Sequence, residues 1–303
     1  MNPVGIAIVT FNSQRCIGAC LDAALVTGAE VVVVDNGSAD RTVAEVRLRP
    51  AVRLIENGCN AGFAGGVNQA VRALPSPFVL LLNPDAVLRS PLDDLVAACS
   101  EPGVAAAGGR LIDESGATEI GFVVRRFPTP LTLVLEVLGV NRLWKGNPVN
   151  RRYRCYGLDH SQSADVEQPA GAFLMLRRDI WDRLGGLDER FFPFWFEDVD
   201  FCRRVADAGL RIRYAPGAVA CHAGGHSVRH APWEVRKSSW NLNLMRYSRK
   251  HFGPLGARAV CAAVAAGCLL RLVPDLLAQR RLSVLQTHAA ILRQAAAAFL
   301  LGR

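Results

Sequence analysis

Short, continuous apolar runs separated by amphipathic stretches dominate the first hundred positions of this chain. Residues 4–9 (VGIAIV), 30–35 (EVVVVD), 52–56 (VRLIE) and 78–82 (FVLLL) are each bounded by polar or turn-forming residues, which predicts four buried strands. Between them, residues 13–25, a stretch opening at Ser38 and Asp40, and a segment ending near Leu74 carry helical spacing, with Ser13 placed to cap the first. Strands of unbroken aliphatic residues alternating with helices predict an α/β fold whose mainly parallel sheet is covered on both faces.

Beyond residue 100 the pattern loosens. Residues 108–168 are irregular and rich in arginine (Arg125, Arg126, Arg151, Arg152, Arg154), with one helix predicted near 131–138. Regularity returns with a strand over 171–176, a helix near 180–184, a carboxylate-bearing helix over 197–208, and short strands at 211–214 and 218–221 that end at His222. From about Trp233 onward the spacing predicts helix to the end.

Ligands of such sheets sit beyond the carboxyl ends of the strands. Thr10-Phe11-Asn12, Asp35-Asn36-Gly37-Ser38 and Asn83-Pro84-Asp85 follow the first, second and fourth predicted strands. A dinucleotide site would need GxGxxG after the first strand, and TFNSQR stands there instead. Asp85 is a hard oxygen ligand suited to Mg²⁺ or Mn²⁺, and as an Asx-Pro turn it would serve structure alone. Asp35, with Asn36 beside it, is placed to accept hydrogen bonds from a base or ribose while capping the next helix. In the 60–68 loop (NAGFAGGVN), Gly62 and Gly65 permit close backbone approach ahead of a helix N-terminus that favours anions, and Asn68 is either a ligand or a structural hydrogen-bonder.

Glu197, Asp198 and Asp200 put three carboxylates within four positions of an aromatic stretch that includes Phe191, Phe192, Phe194, Trp195 and Phe196. Carboxylates in such a setting are costly unless they have partners or a chemical task. At a helix N-terminus Asp198 stays ionised and can act as a general base, with one neighbour binding acceptor hydroxyls and another pairing with Arg203 or Arg204. His222 can complete a metal site whose carboxylate comes from elsewhere, or can be structural, and His226 follows it in the same segment.

Composition adds three constraints. At 303 residues and half hydrophobic, the chain can bury a full core. Its nine cysteines form no CxxC pair, so free thiols are expected. Residues 228–303 hold 12 Lys and Arg against Glu234 and Asp275, a net of +10 where the whole chain carries +8, which leaves −2 for residues 1–227. This basic tail is mixed with apolar runs rather than exposed aromatics, which favours an anionic membrane surface over nucleic acid. No signal peptide is expected. The apolar run 259–270 is shorter than the ~20 residues that span a bilayer, and Arg271, Pro274 and Asp275 are expected to interrupt it.

Taken in order, VTFN (9–12), VDNGSAD (34–40), NAGFAGGVN (60–68), LLNPDA (81–86), PAGAFLMLRRD (169–179), GGLDERFFPFWFEDVDFCRR (185–204) and HAGGHS (from 222) resemble the family 2 glycosyltransferases of GT-A fold, in the bacterial rhamnosyltransferase-like branch. The resemblance implies inverting transfer of a sugar from a nucleoside diphosphate sugar, with Asp85 in a DXD-like motif and His222 as metal ligands and Asp198 as base. Asn83 departs from the usual first aspartate, and can hydrogen-bond ribose or a bound water. The branch points to rhamnose from a dTDP donor. On this reading residues 1–227 form the catalytic domain, 1–107 the nucleotide-sugar half and 108–227 the acceptor half. Residues 228–303 are a helical appendage lying on the inner face of the cell membrane, where the acceptor is a polysaccharide or polyprenyl-linked glycan. Competing readings are a nucleotidyltransferase and a catalytically silent membrane-associated module that keeps a sugar-nucleotide fold.

Overall fold

The structure, a computed structural model, describes residues 3–222 and 231–301. The chain divides into two compact units, Met1–Arg126 with Arg154–His230, and Phe127–Tyr153 with Ala231–Arg303. In chain order the first unit begins with β1 (Val4–Thr10), α1 (Ile17–Val26), β2 (Glu30–Asp35), α2 (Thr42–Arg47), β3 (Val52–Glu56), α3 (Gly62–Ala73) and β4 (Phe78–Leu82). It continues through β5 (Ala86–Leu88), α4 (Asp93–Ser100), β6 (Val104–Ile112) and β7 (Val124–Arg125). After α5 (Pro130–Val137), α6 (Val140–Leu143) and α7 (Pro148–Tyr153) in the second unit, the chain returns with β8 (Ala164–Val166), β9 (Gln168–Pro169), β10 (Phe173–Arg177), α8 (Arg178–Leu184), α9 (Glu197–Asp207) and β11 (Arg211–His222). The second unit is completed by α10 (Trp233–His251), α11 (Pro254–Gln279) and α12 (Ser283–Leu301).

The central sheet runs β3-β2-β1-β4-β10-β6-β11-β5, with β8 also on β11. The four expected strands are there and parallel, in the order β3-β2-β1-β4. β10 is antiparallel to both β4 and β6, so the chain reverses once and reverses back. β6 and β11 are parallel to each other. The carboxyl ends of β1, β2, β4, β6 and β11 therefore share one edge of the sheet. β2 shows why such runs become interior strands: Val31 to Val34 are all buried, and β-branched side chains fit a pleat covered on both faces.

Two parts of this sheet differ from expectation. Residues 104–112 (VAAAGGRLI) form a central strand where the sequence pattern is irregular. Their small side chains are required by what crosses them: a Cβ on Gly108 would lie 2.3 Å from Pro169, and one on Gly109 would lie 2.0 Å from the Phe173 ring. The two short strands expected before His222 are one strand, β11, broken in register between Ala215 and Val219. Ser13 also starts α1 differently, since its backbone carbonyl, not its side chain, accepts the N–H groups of Cys16 and Ile17 at 3.1 and 3.0 Å.

In the second unit α11 contacts α5 and α12. A Cβ on Gly267 of α11 would lie 2.9 Å from Val137 of α5, so glycine there allows the close approach. Asn141, Asn147 and Asn150 are buried and linked to one another by hydrogen bonds of 3.0 and 2.8 Å. The helix α11 runs for 26 residues, so Arg271, Pro274 and Asp275 fall within the helix as the helical spacing beyond Trp233 predicts. By length and composition it is long and apolar enough to cross a membrane, although a third of its apolar window is buried inside the structure. Among the arginines of the irregular stretch, Arg125, Arg126 and Arg154 belong to the first unit and Arg151 and Arg152 to the second. All nine cysteines are free.

Candidate active site

Asp35 ends β2 beside Thr10, the last residue of β1, and their strands are in register. The carboxylate is buried and accepts four hydrogen bonds: the Thr10 hydroxyl at 2.8 Å, the Ser38 hydroxyl at 2.6 Å, and the Gly37 and Ser38 backbone N–H groups at 3.1 and 2.8 Å. A carboxylate has about four lone-pair sites. Bonding to a nucleobase therefore requires one of the two rotatable hydroxyls to give way. Asn12, with φ of 52°, joins the same loops by donating its N–H to Ser38 Oγ at 2.8 Å and accepting the Ala39 N–H at 2.8 Å. Asn36 is buried between Gly62 O and Asn57 Nδ2, each at 2.9 Å.

The 60–68 loop behaves differently from the expected anion cradle. Gly62 has φ of +76° and does permit close approach, but by Phe192 and Pro193: a Cβ would lie 2.8 Å from the Phe192 ring. The next N–H at the start of α3, from Phe63, is donated to Pro193 O at 2.7 Å rather than left for an anion. Gly65 faces Ala61, with Glu189 at van der Waals distance. Asn68, read as either a ligand or a structural hydrogen-bonder, makes structural bonds: it donates to Leu187 O and Glu189 Oε1 and accepts the Leu187 N–H, all at 2.9 Å.

Asp85 lies in the turn between β4 and β5, where Ala86 N–H closes on Asn83 O at 3.0 Å. It is buried, and its Oδ1 lies 3.5 Å from Nε2 of His222. The contact follows from the sheet, because Ala86 is the register partner of His222. At 3.5 Å it is an electrostatic pairing, and Nε2 makes no hydrogen bond. The other ring nitrogen, Nδ1, meets Glu119 Oε2 at 3.0 Å, and the imidazole stacks on Phe122 at 5.3 Å. Burial lowers the imidazole pKa, but the Asp85 and Glu119 carboxylates outweigh it and raise it to about 9.

An oxygen and a nitrogen 3.5 Å apart can both reach one cation at the ~2.0–2.1 Å distances of a Mg²⁺-sized ion. Among the described residues no group of three or more His, Cys, Asp or Glu could hold an ion unaided, so further ligands would come from diphosphate oxygens and water. Glu119 would hold the ring with Nε2 toward Asp85, as carboxylates do behind metal-binding histidines. It lies in the irregular stretch and carries no periodic signal. Its backbone N–H, donated to Leu111 O at 3.1 Å, ties it to β6. Residues 223–230, including His226, lie outside the described residues.

The three carboxylates of α9 have separate environments. Asp198 is half-buried and accepts the Val199 N–H at 2.8 Å and the Gly171 N–H at 3.2 Å. Ala172, next to Gly171, accepts the Asn83 N–H at 3.0 Å. The Asn83 turn and Asp198 are thus held by adjacent residues, Ala172 and Gly171. Asp200, one of the two neighbours expected to bind acceptor hydroxyls or to pair with Arg203 or Arg204, is fully buried and paired with Arg204 Nε at 2.9 Å. Arg204 also donates to Leu184 O and Gly186 O at 2.8 and 2.7 Å, so Asp200 anchors the turn that ends α8.

Glu197 is buried with Oε2 lacking any hydrogen-bond partner. Burial, helped by the Asp198 charge, pushes its pKa well above the ordinary carboxylate range. A raised folded-state pKa contributes stability that is present below the unfolded pKa and is lost as pH rises through the folded value. Glu197→Gln is therefore expected to raise thermal stability at pH 8 by roughly 1 kcal/mol or more, about 2–4 °C, with the gain fading toward pH 4. Thermal melts of both proteins across that range check this, and a difference independent of pH would contradict it.

A family model described as glycosyltransferase like family 2 matches residues 2–253. N-acetylglucosaminyl-diphospho-decaprenol L-rhamnosyltransferase of Mycobacterium tuberculosis (strain H37Rv) is 31% identical over 217 residues, covering 67% of this chain and 69% of that protein. Rhamnosyltransferase WbbL of Escherichia coli (strain K12) is 26% identical over 167 residues, 54% of this chain and 58% of that one. Among solved structures, a mannosyltransferase from Pyrobaculum calidifontis in complex with GDP-Man and Mn²⁺ aligns with a TM-score of 0.54 at 20% identity, covering 98% of this chain and 87% of that chain. The fold is of GT-A type.

Proposed function

This chain belongs to the family 2 glycosyltransferases, and from that premise we propose that it moves a sugar, rhamnose by its likeness to the named rhamnosyltransferases, from a nucleoside diphosphate to a lipid-linked or polysaccharide acceptor with inversion. The observation that carries the reading is the meeting of Asp85 with His222 at the carboxyl edge of the sheet, with Asp198 held by Gly171, the neighbour of the Ala172 that holds the Asn83 turn. We assign donor handling to residues 1–107, acceptor handling to 108–227, and membrane contact to 228–303.

Asp85 and His222 would hold Mg²⁺ or Mn²⁺, which when bound neutralises charge on the departing diphosphate. Asp35, Thr10, Asn12 and Asn36 shape the loops that receive the nucleoside, and Asn83 offers a neutral hydrogen-bonding group beside Asp85. Asp198 accepts the acceptor hydroxyl proton as that oxygen bonds to the sugar carbon. The carbon–phosphate oxygen bond breaks with its electron pair leaving on the nucleoside diphosphate, and attack from the opposite face inverts the anomeric centre. Glu197 and the rims at Gly62 and Gly65 complete the surroundings.

A membrane location is supported by the +10 charge of residues 228–303 and by the exposed Leu269, Leu270, Val273 and Leu277 of α11. The test is a nucleotide-sugar panel that includes dTDP-rhamnose, assayed with Mg²⁺ or Mn²⁺ on anionic liposomes carrying a polyprenyl diphosphate-linked sugar. Release of nucleoside diphosphate with an extended lipid product of inverted configuration is expected, with the protein floating on the liposomes. Release of sugar 1-phosphate, with the nucleoside monophosphate moved to an acceptor, would indicate a nucleotidyltransferase. No turnover with any donor would indicate a silent binding module.

A further inference from the structure

The second unit contains a cavity of about 260 Å³ that the transfer chemistry described above does not use. Trp233, Arg236, Lys237 and Trp240 line it from α10, and Arg271 lines it from α11. The four α10 positions are spaced i, i+3, i+4 and i+7 and so share one helix face. Lys237 is already compensated: its Nζ pairs with Asp275 at 2.9 Å, and that carboxylate also meets His288 at 3.0 Å. Its ammonium also lies 5.8 Å from the centre of the Trp233 ring.

Arg236 and Arg271 are not compensated in this way. Neither makes an ion pair or side-chain hydrogen bond among the described residues, and Arg236 Nε is buried without a partner. A buried guanidinium donor with no acceptor is costly, and an entering anion would remove that cost. Two uncompensated guanidinium groups lining one cavity match the planar, forked donor geometry that recognises phosphate oxygens. The volume lies below the ~300–1,000 Å³ typical of pockets enclosing a whole small molecule, so it suits a phosphate or diphosphate group. The two tryptophans are the residue type that favours a boundary between water and lipid. The helix that supplies Arg271 also exposes Leu269, Leu270, Val273 and Leu277, and an α-helix is only ~10 Å across. An anionic group carried on a long aliphatic chain can satisfy both surfaces at once.

We propose that this cavity binds the diphosphate group of the lipid-linked acceptor. The proposal rests on the acceptor class assigned above, and it is tested by binding so that its failure is distinct from failure of the transfer reading. The full chain in mild detergent is titrated calorimetrically with farnesyl diphosphate and, separately, with inorganic diphosphate. The same titrations are run on Arg236→Gln/Arg271→Gln and on Arg271→Lys, alongside nucleoside diphosphate release from the donor without acceptor.

Farnesyl diphosphate is expected to bind more tightly than inorganic diphosphate, and the double variant to lose affinity by on the order of tenfold or more, as for two charge-assisted hydrogen-bonding groups. Arg271→Lys, which keeps the charge but loses the planar fork, is expected to fall between the wild type and the double variant, and acceptor-free donor hydrolysis to stay unchanged in all variants. Equal affinity for farnesyl and inorganic diphosphate would overturn the lipid-linked source, leaving a site for free anions. Unchanged farnesyl diphosphate affinity in the double variant, or no binding by the wild-type chain, would overturn the site itself. Arginine-dependent binding in a protein that turns over no donor would leave the site standing and remove the transfer reading.

Discussion

Asp198→Asn is expected to slow sugar transfer by about 10²–10⁴-fold while donor affinity stays near that of the wild type. The side chain keeps its shape, and its remaining carbonyl oxygen can still accept the Gly171 N–H that the carboxylate accepts at 3.2 Å. What the amide cannot do is take the acceptor's proton. The contrast is Asp200, two positions away, which is fully buried against Arg204. Asp200→Asn weakens the hold on the carbonyls of Leu184 and Gly186 through Arg204, so its effect falls on thermal stability. Steady-state kinetics with donor and acceptor varied separately, together with melting curves, distinguish the two. A normal rate in Asp198→Asn with a large loss of rate in well-folded Asp200→Asn would move the base to Asp200.

The half of the sheet made of β-branched runs was legible in the sequence because each run fills a strand covered on both faces, and continuous valine at 31–34 has few other uses. β6 was not legible. Alanine and glycine at 105–109 carry no strand signal, and the reason for them is a crossing by Pro169 and Phe173, residues more than fifty positions away. Glu119 was hidden for the same reason, since its place beside His222 depends on β6 being a strand. The residues following the strands were legible as an edge, but their partners were not. Asp35 is saturated by Thr10, Gly37 and Ser38, Asn68 clamps Leu187 and Glu189, and Gly62 makes room for Phe192. These partners come from segments whose approach is set by tertiary packing. The helix α11 runs on past Pro274, in keeping with the helical spacing expected beyond Trp233, because proline removes only one N–H and a helix packed on neighbours can continue past that loss.

Loss of the Asp85 carboxylate is expected to have the other large effect. Asp85 and His222 are 3.5 Å apart in a buried setting where Ala86, next to Asp85, is the register partner of His222, and Glu119 holds the far side of the imidazole. With Asp85→Ala the imidazole remains but the oxygen ligand is gone, so charge building on the leaving diphosphate loses its clamp and transfer should fall by about 10²–10³-fold or more. The measurement that tests the account most directly is nucleoside diphosphate release by the wild-type chain and by Asp85→Ala, each with Mn²⁺ and with excess chelator. The account predicts rapid release only for the wild type with the ion, and near-background release in the other three reactions. Undiminished release by Asp85→Ala, or by the wild type in chelator, would contradict it.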